Sequence, residues 1–466
     1  MNIIYSARNV CVFLIITGIC TAQSINSGKD NTFKDYYSKT YSYPVFEHGG
    51  YYRNGYFFHT VHQDENLLEI AKKYIYYTDY YTLEELIRKI SEINYIRGNL
   101  IVTDIPIKLP ITRKSRITVQ SVPRNYNYQA KGIYLTASTA GSAYGMKLIR
   151  KFSALGGNTI IFDIKDINGK VHTPVDVGLA KITGATRQNS IRDIGKLVRI
   201  IHMYHMHAVS RITVFADKLI AEKIPEYAVR YKEGGAVITD NKIHWVDPSH
   251  HEVCEYNLNI IEQVCKSGID EVQLDYIRYP CTYSELITHK APGTPRDKII
   301  TGFIQDVYKI TRKHNVLLSL DVYGITIWDH EIDTLTTGQR LSELSKYCDA
   351  INPMIYPSHF ESGFGGVSNP ADHPDMIADI AIEKLIKKID YINEKTAIRP
   401  WLQAFDYMTT GYDVDYILRS IEGAEKHLDY GYNFWSAEND YKLVFSALEG
   451  IRSKKKSEKV SGIASE

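Results

Sequence analysis

Beyond residue 131 the chain alternates short apolar runs with longer stretches of helical periodicity, a rhythm that few α/β architectures accommodate. Strand-like runs at 132–137, 158–164, 207–215, 271–275, 316–321, 350–354, 397–404 and 431–435 are interleaved with helical patterns at 143–155, 190–205, 251–266, 298–314, 338–347, 414–427 and 440–450. Eight βα units suffice to close a parallel barrel. An open doubly wound sheet would need a glycine-rich phosphate loop after its first strand, and 136–145 carries only scattered glycines. The expected fold is therefore α/β, a (β/α)8 TIM barrel over 131–450.

Upstream, strand 57–61, helices 66–74 and 83–93 and strand 105–109 read as a small α+β module. Residues 1–22 carry one early charge, Arg8, then the apolar run 10–19 and small residues up to Ala22, which reads as an export signal too short to span a bilayer. Residues 23–56 read as a polar linker, and 451–466, with Lys454-Lys455-Lys456, as a disordered basic tail. The expected location is periplasm, cell envelope or extracellular space, with no integral membrane span once the signal is removed.

Lys+Arg of 55 against Asp+Glu of 54 provides no global field to attract nucleic acid or an anionic membrane, so a neutral partner is expected. The 36 tyrosines suit sugar stacking, although a codon bias that also enriches Ile, Lys and Asn accounts for them as well. Cys254, Cys265, Cys281 and Cys348 remain after signal removal, without metal-ligand spacing. His202, His205 and His207 straddle a helix end and a strand, so no metal site and no cofactor are expected.

In such barrels chemistry sits where the strands end at their C-terminal side. The polar residues there are Asp163 and Lys165 on the second strand, Arg211 on the third, Asp275, Tyr276 and Arg278 after the fourth, and Asp321 and Tyr323 after the fifth. Tyr356, His359 and Glu361 follow the sixth, Trp401 and Gln403 lie on the seventh, and Trp435 and Glu438 belong to the eighth. Asp275 and Asp321 occupy neighbouring strands, which lie about 5 Å apart, a spacing that suits the paired carboxyls of glycoside hydrolysis. Trp245, Trp401, Trp435 and Tyr356 would offer flat faces to sugars. Each residue also has a structural use, since a strand-end Asp often caps the next helix and a Trp on a strand is often core.

The run Asp270-Glu271-Val272-Gln273-Leu274-Asp275-Tyr276-Ile277-Arg278-Tyr279-Pro280 stands with four others: Arg211-Ile212-Thr213-Val214-Phe215, Trp245-Val246-Asp247-Pro248, Asn352-Pro353-Met354-Ile355-Tyr356-Pro357-Ser358-His359 and Arg399-Pro400-Trp401-Leu402-Gln403-Ala404-Phe405. Together they resemble the bacterial "putative glycosyl hydrolase domain" family over about 131–450. The resemblance implies a (β/α)8 barrel and a polysaccharide substrate, with Asp275 as nucleophile and Asp321 as acid by analogy with amylase-like barrels. Those barrels place a Glu at the acid position, which leaves Glu361 and Glu438 as alternatives. The module at 57–110 resembles LysM through His59-Thr60-Val61, 64–74 and Ile107-Lys108-Leu109-Pro110, and so implies a polymer of N-acetylglucosamine as its ligand.

Three functions fit: a glycoside hydrolase, a non-catalytic carbohydrate-binding barrel, and an envelope protein in which the barrel is a spacer. Whether two carboxyl groups meet across a cleft separates the first from the others. If the signal reading holds, the exported protein begins at Gln23. N-terminal sequencing of protein recovered outside the cytoplasm checks this, and an intact Met1 would refute it.

Overall fold

The structure, a computed structural model, describes residues 44–463 apart from 99, 117–127, 233–234, 236–242, 283–285, 288–293, 329, 391–395 and 428–430. The expected signal segment 1–22, linker residues 23–43 and Gly234 lie outside the described residues. Two compact units divide the chain near residue 117.

In the first unit, β1 (Gly50–Arg53), β2 (Tyr56–Thr60) and β3 (Pro106–Leu109) form an antiparallel sheet in that order. β1 falls inside the segment expected to be linker. The overlooked signal is Asn54-Gly55, both at positive φ (48° and 78°), a two-residue loop suited to a hairpin whose strands pair Tyr51 with Phe58. Helix Leu67–Tyr74 is capped by the Asn66 side chain, and helix Leu83–Ile93 by a reciprocal Thr82–Glu85 box. Their apolar faces bury Leu67, Ile70, Leu86 and Ile90 with Phe57, Ile107 and Leu109 of the sheet.

The second unit is a closed parallel barrel. Its strands are β4 (Ala130–Leu135), β5 (Thr159–Lys165), β6 (His207–Thr213), β8 (Glu271–Asp275), β10 (Leu317–Val322), β11 (Ala350–Ile355), the split pair β12 (Ala397–Ile398) and β13 (Trp401–Gln403), and β14 (Gly431–Trp435). β14 pairs back onto β4, which completes the ring. β7 (Arg230–Tyr231) and β9 (Leu286–Ile287) form a separate antiparallel ribbon. The seventh barrel strand breaks at Arg399-Pro400, because Pro400 has no N–H to give the ladder.

Two expectations for helices need correction. Helix Pro374–Asp390 completes the sixth unit, although no helix was expected between 359 and 397. Its signal is Ile377, Ala378, Ala381, Ile382, Leu385 and Ile389, all buried at helical spacing. The final helix runs Lys442–Ile463, through the tail expected to be disordered, because Lys, Glu and Arg are good helix formers and no Gly or Pro interrupts 451–461. No helix among the described residues is long and apolar enough to cross a membrane.

Alternation along β8 places Val272 and Leu274 on one face and Glu271, Gln273 and Asp275 on the other, which is the barrel interior. At the N-terminal end, buried Glu271 accepts from Arg399 Nη1 at 2.8 Å and lies 3.0 Å from His207 Nε2. His202 pairs with Asp270 at 2.8 Å, so these histidines brace the barrel floor. Burial pushes the Glu271 carboxyl up, but Arg399 and His207 outweigh it and hold the group down to about 2. Removing one partner of such a pair costs about 3–5 kcal/mol. The Glu271 contribution is full above its ordinary value of 4.5 and fades as pH falls toward about 2. Thermal denaturation of Glu271→Gln should therefore show a lowered Tm at pH 7 and a gap to the parent that narrows below pH 4.5. A gap that is constant with pH would contradict this.

Candidate active site

The C-terminal end of the barrel is organised by one buried cation. Arg211, on β6 and 4% exposed, donates from Nη1 to Asp163 Oδ1 at 2.6 Å. Its Nη2 and Nε donate to Asp275 Oδ2 at 2.5 and 3.2 Å, and Nε lies 3.7 Å from Asp321 Oδ2. Three carboxyl groups from β5, β8 and β10 thus surround one guanidinium, whose charge also faces the Tyr134 and Trp435 rings at 5.5 and 4.9 Å.

Asp321 is 1% exposed. Trp401 Nε1 donates to its Oδ1 at 2.8 Å and Asn352 Nδ2 at 3.2 Å, while its Oδ2 has no hydrogen-bond partner among the described residues. Burial first, and the neighbouring Asp275 charge second, drive the Asp321 carboxyl well above the usual range despite Arg211. One cation cannot compensate three anions in so dry a site, so burial works against full ionisation of the cluster and raises Asp321 and Asp163. Asp163 accepts from Tyr134 Oη at 2.5 Å as well as from Arg211, and burial raises its carboxyl too. Two oxygens at 3.2 and 3.7 Å from a single nitrogen limit the Asp275–Asp321 separation to about 7 Å, near the spacing that sugar hydrolysis needs.

Backbone strain marks the same place. Tyr276, directly after Asp275, has φ 53°, a costly conformation for a bulky residue, and its N–H donates to Asp275 Oδ1 at 2.6 Å.

Of the residues expected here, Asp163, Arg211, Asp275, Asp321, Trp401 and Trp435 come together. Tyr134 stacks on Trp435 at 4.0 Å, and Tyr356 shares a buried cluster with Tyr134 and Trp401. Arg278 lies over Trp245 at 4.6 Å and Tyr323 at 5.0 Å, a cation layered between rings. Lys165 belongs elsewhere. It is fully buried, ion-paired to Asp217 at 2.8 Å and bonded to the Thr213 and Val214 carbonyls, because a register shift between Asp163 and Lys165 turns it away. Gln403 is likewise spoken for, accepting from Ser358 N and Oγ at 3.2 and 2.8 Å, and Trp245, 1% exposed, packs as core in the segment after β6. Glu361 and Glu438 are exposed, and the carboxyl at the Arg211 cluster on the fifth strand is Asp321. His359 and Tyr323 are exposed rim residues. Tyr134 and Asn352 were not singled out from sequence, although a polar-tipped Tyr one residue before the end of β4 was a usable sign.

A family model described as "Putative glycosyl hydrolase domain" matches residues 132–441. The chain belongs to this family. No curated protein matches the chain. The PgaB (BpsB) glycoside hydrolase domain from Bordetella bronchiseptica is similar in fold, at 11% identity and TM-score 0.51 over 69% of this chain and 99% of that one. A hypothetical protein from Ruminiclostridium thermocellum ATCC 27405 aligns at 27% identity and TM-score 0.36, over 41% of this chain and 97% of that one. The spore cortex-lytic enzyme SleL of Bacillus megaterium QM B1551 aligns at 11% identity and TM-score 0.40, over 84% and 85%. In this barrel the Arg211 cluster lies at the C-terminal ends of the strands, where such folds carry chemistry.

Arg211→Met should cost about 3–5 kcal/mol at pH 7, since three carboxyls lose their cation. Protonating those groups relieves the repulsion, so the deficit in Tm should shrink as pH falls. Equal deficits at pH 7 and pH 4 would mean that packing, not charge, holds the site.

Proposed function

We propose that the barrel is a glycoside hydrolase acting on a cell-wall or extracellular polysaccharide, with Asp321 as general acid and Asp275 as nucleophile. The observation that carries this reading is the pair itself: two carboxyls on adjacent strands share one guanidinium, one bonded to it at 2.5 Å and the other driven upward by burial. In the reaction, Asp321 gives its proton to the glycosidic oxygen as the Asp275 carboxylate attacks the anomeric carbon and the bond to the leaving sugar breaks. Water, deprotonated by Asp321, then hydrolyses the glycosyl ester and regenerates both groups. An Oδ2–Oδ2 separation bounded at about 7 Å is compatible with this double displacement.

The signal-like pattern at 1–22 and the LysM-like pattern at 57–110 support the same setting, in which the first unit holds polymers of N-acetylglucosamine and the barrel cleaves a polysaccharide in the envelope or outside the cell. A non-catalytic, carbohydrate-binding barrel draws on a different observation, the 4% and 1% exposure of Asp275 and Asp321.

The test is release of reducing ends from bacterial and fungal polysaccharides. Asp275→Asn and Asp321→Asn should each lower kcat at least a thousandfold while circular dichroism shows both variants folded, Asp275→Asn with a lowered Tm because Arg211 loses a charge partner. An acid works only while protonated, so the parent rate should fall as pH rises through the elevated Asp321 value, and the residual Asp321→Asn rate should lack that alkaline limb. Binding without release by parent and variants alike would replace the hydrolase with the binding barrel.

A further inference from the structure

Beside the carboxylate pair, two rim segments present rings that the fold leaves uncovered. His359, in the turn Pro357–His359 after β11, is exposed, and Tyr407, after β13, is 51% exposed. Their rings meet edge to face at 6.1 Å, and Phe405 lies 6.1 Å from His359. Inward, His359 meets Tyr356 edge to face at 5.3 Å. Tyr356 is buried beside the reacting groups, where burial, then Asp321 and Asp275, push its phenol up. A continuous row of rings therefore leads from the floor of the site to solvent.

The row is held rigidly. Gln403 ties the two segments together, accepting from Ser358 N and Oγ and donating from Nε2 to the Phe405 carbonyl at 3.0 Å. Further along, Asp372 accepts from Thr410 N at 2.7 Å and Thr410 Oγ1 at 2.8 Å. Exposed rings on braced loops are pre-organised, so a ligand pays little ordering entropy on them. Partial burial holds the His359 ring below its ordinary value, hence neutral, and its nitrogens make no hydrogen bond to the described residues. A neutral imidazole offers one donor and one acceptor to hydroxyl groups, and a phenol ring offers an apolar face with a polar tip. Both match an uncharged pyranose.

We propose that His359, Phe405 and Tyr407 form a sugar-stacking subsite that takes a pyranose ring of a polysaccharide one or two residues from the bond held at Asp275 and Asp321. Its position along the substrate rests on the hydrolase reading; its ligand class does not. With a polymer the parent hydrolyses, Tyr407→Ala and His359→Ala in the full-length chain should raise KM at least tenfold, with the loss carried by KM rather than kcat. Tyr407→Phe, which keeps the ring, should stay within twofold of the parent. Unchanged KM in both alanine variants would overturn the subsite and leave the hydrolase standing. If no polymer is hydrolysed, the hydrolase reading fails and the subsite is judged by hydroxyl-radical footprinting with the polysaccharides the chain binds. Protection of Tyr407 that is lost in His359→Ala would uphold the subsite. Absence of protection, or of any binding, would overturn it.

Discussion

The Arg211 guanidinium is the interaction on which the rest of the site depends. A buried cation is tolerable only if paired, and here the pairing draws side chains from β5, β8 and β10 to one point. Those strands are remote in sequence, so the ion cluster records in one place that the barrel has closed with the correct register. The same crowding creates the asymmetry that chemistry can use, because burial and the Asp275 charge drive the Asp321 carboxyl upward.

The polar interior continues to the opposite end, where Glu271 and Arg399 form a second buried pair. Barrel interiors of this fold are ordinarily filled by branched apolar side chains. This one keeps its apolar residues mainly on the outer faces of the strands, as Val272 and Leu274 show, and places ion pairs at both ends of the interior. Such pairs add little net stability, but a wrong register would strand a charge, and that cost is high.

Much of the architecture was legible because periodicity is a local property. The strand runs, most helices and the set of strand-end carboxylates follow from spacing alone, and Asp275 and Asp321 were recognisable as residues of adjacent strands. Helix Pro374–Asp390 was legible in principle, with apolar residues at helical spacing, but its long polar approach after Pro357 obscured it. The β1–β2 hairpin was signalled by Asn54-Gly55 and hidden by the polar, tyrosine-rich context. Lys165 was misplaced for a deeper reason: a single register shift reverses which face a side chain takes, and nothing local announces the shift.

The sequence by itself determined the barrel class and the strand ends that carry acidic, basic and aromatic residues, since these depend on neighbours a few positions away. Only the tertiary structure decided which of them meet. It joined Tyr134 to Asp163, gave Asp321 to Trp401 and Asn352, and withdrew Lys165 to Asp217 and Gln403 to the loop at Ser358. It also set the upward shift of the Asp321 carboxyl, because desolvation and the field of Arg211 and Asp275 arise from groups up to 110 residues away in sequence, assembled only when the barrel closes.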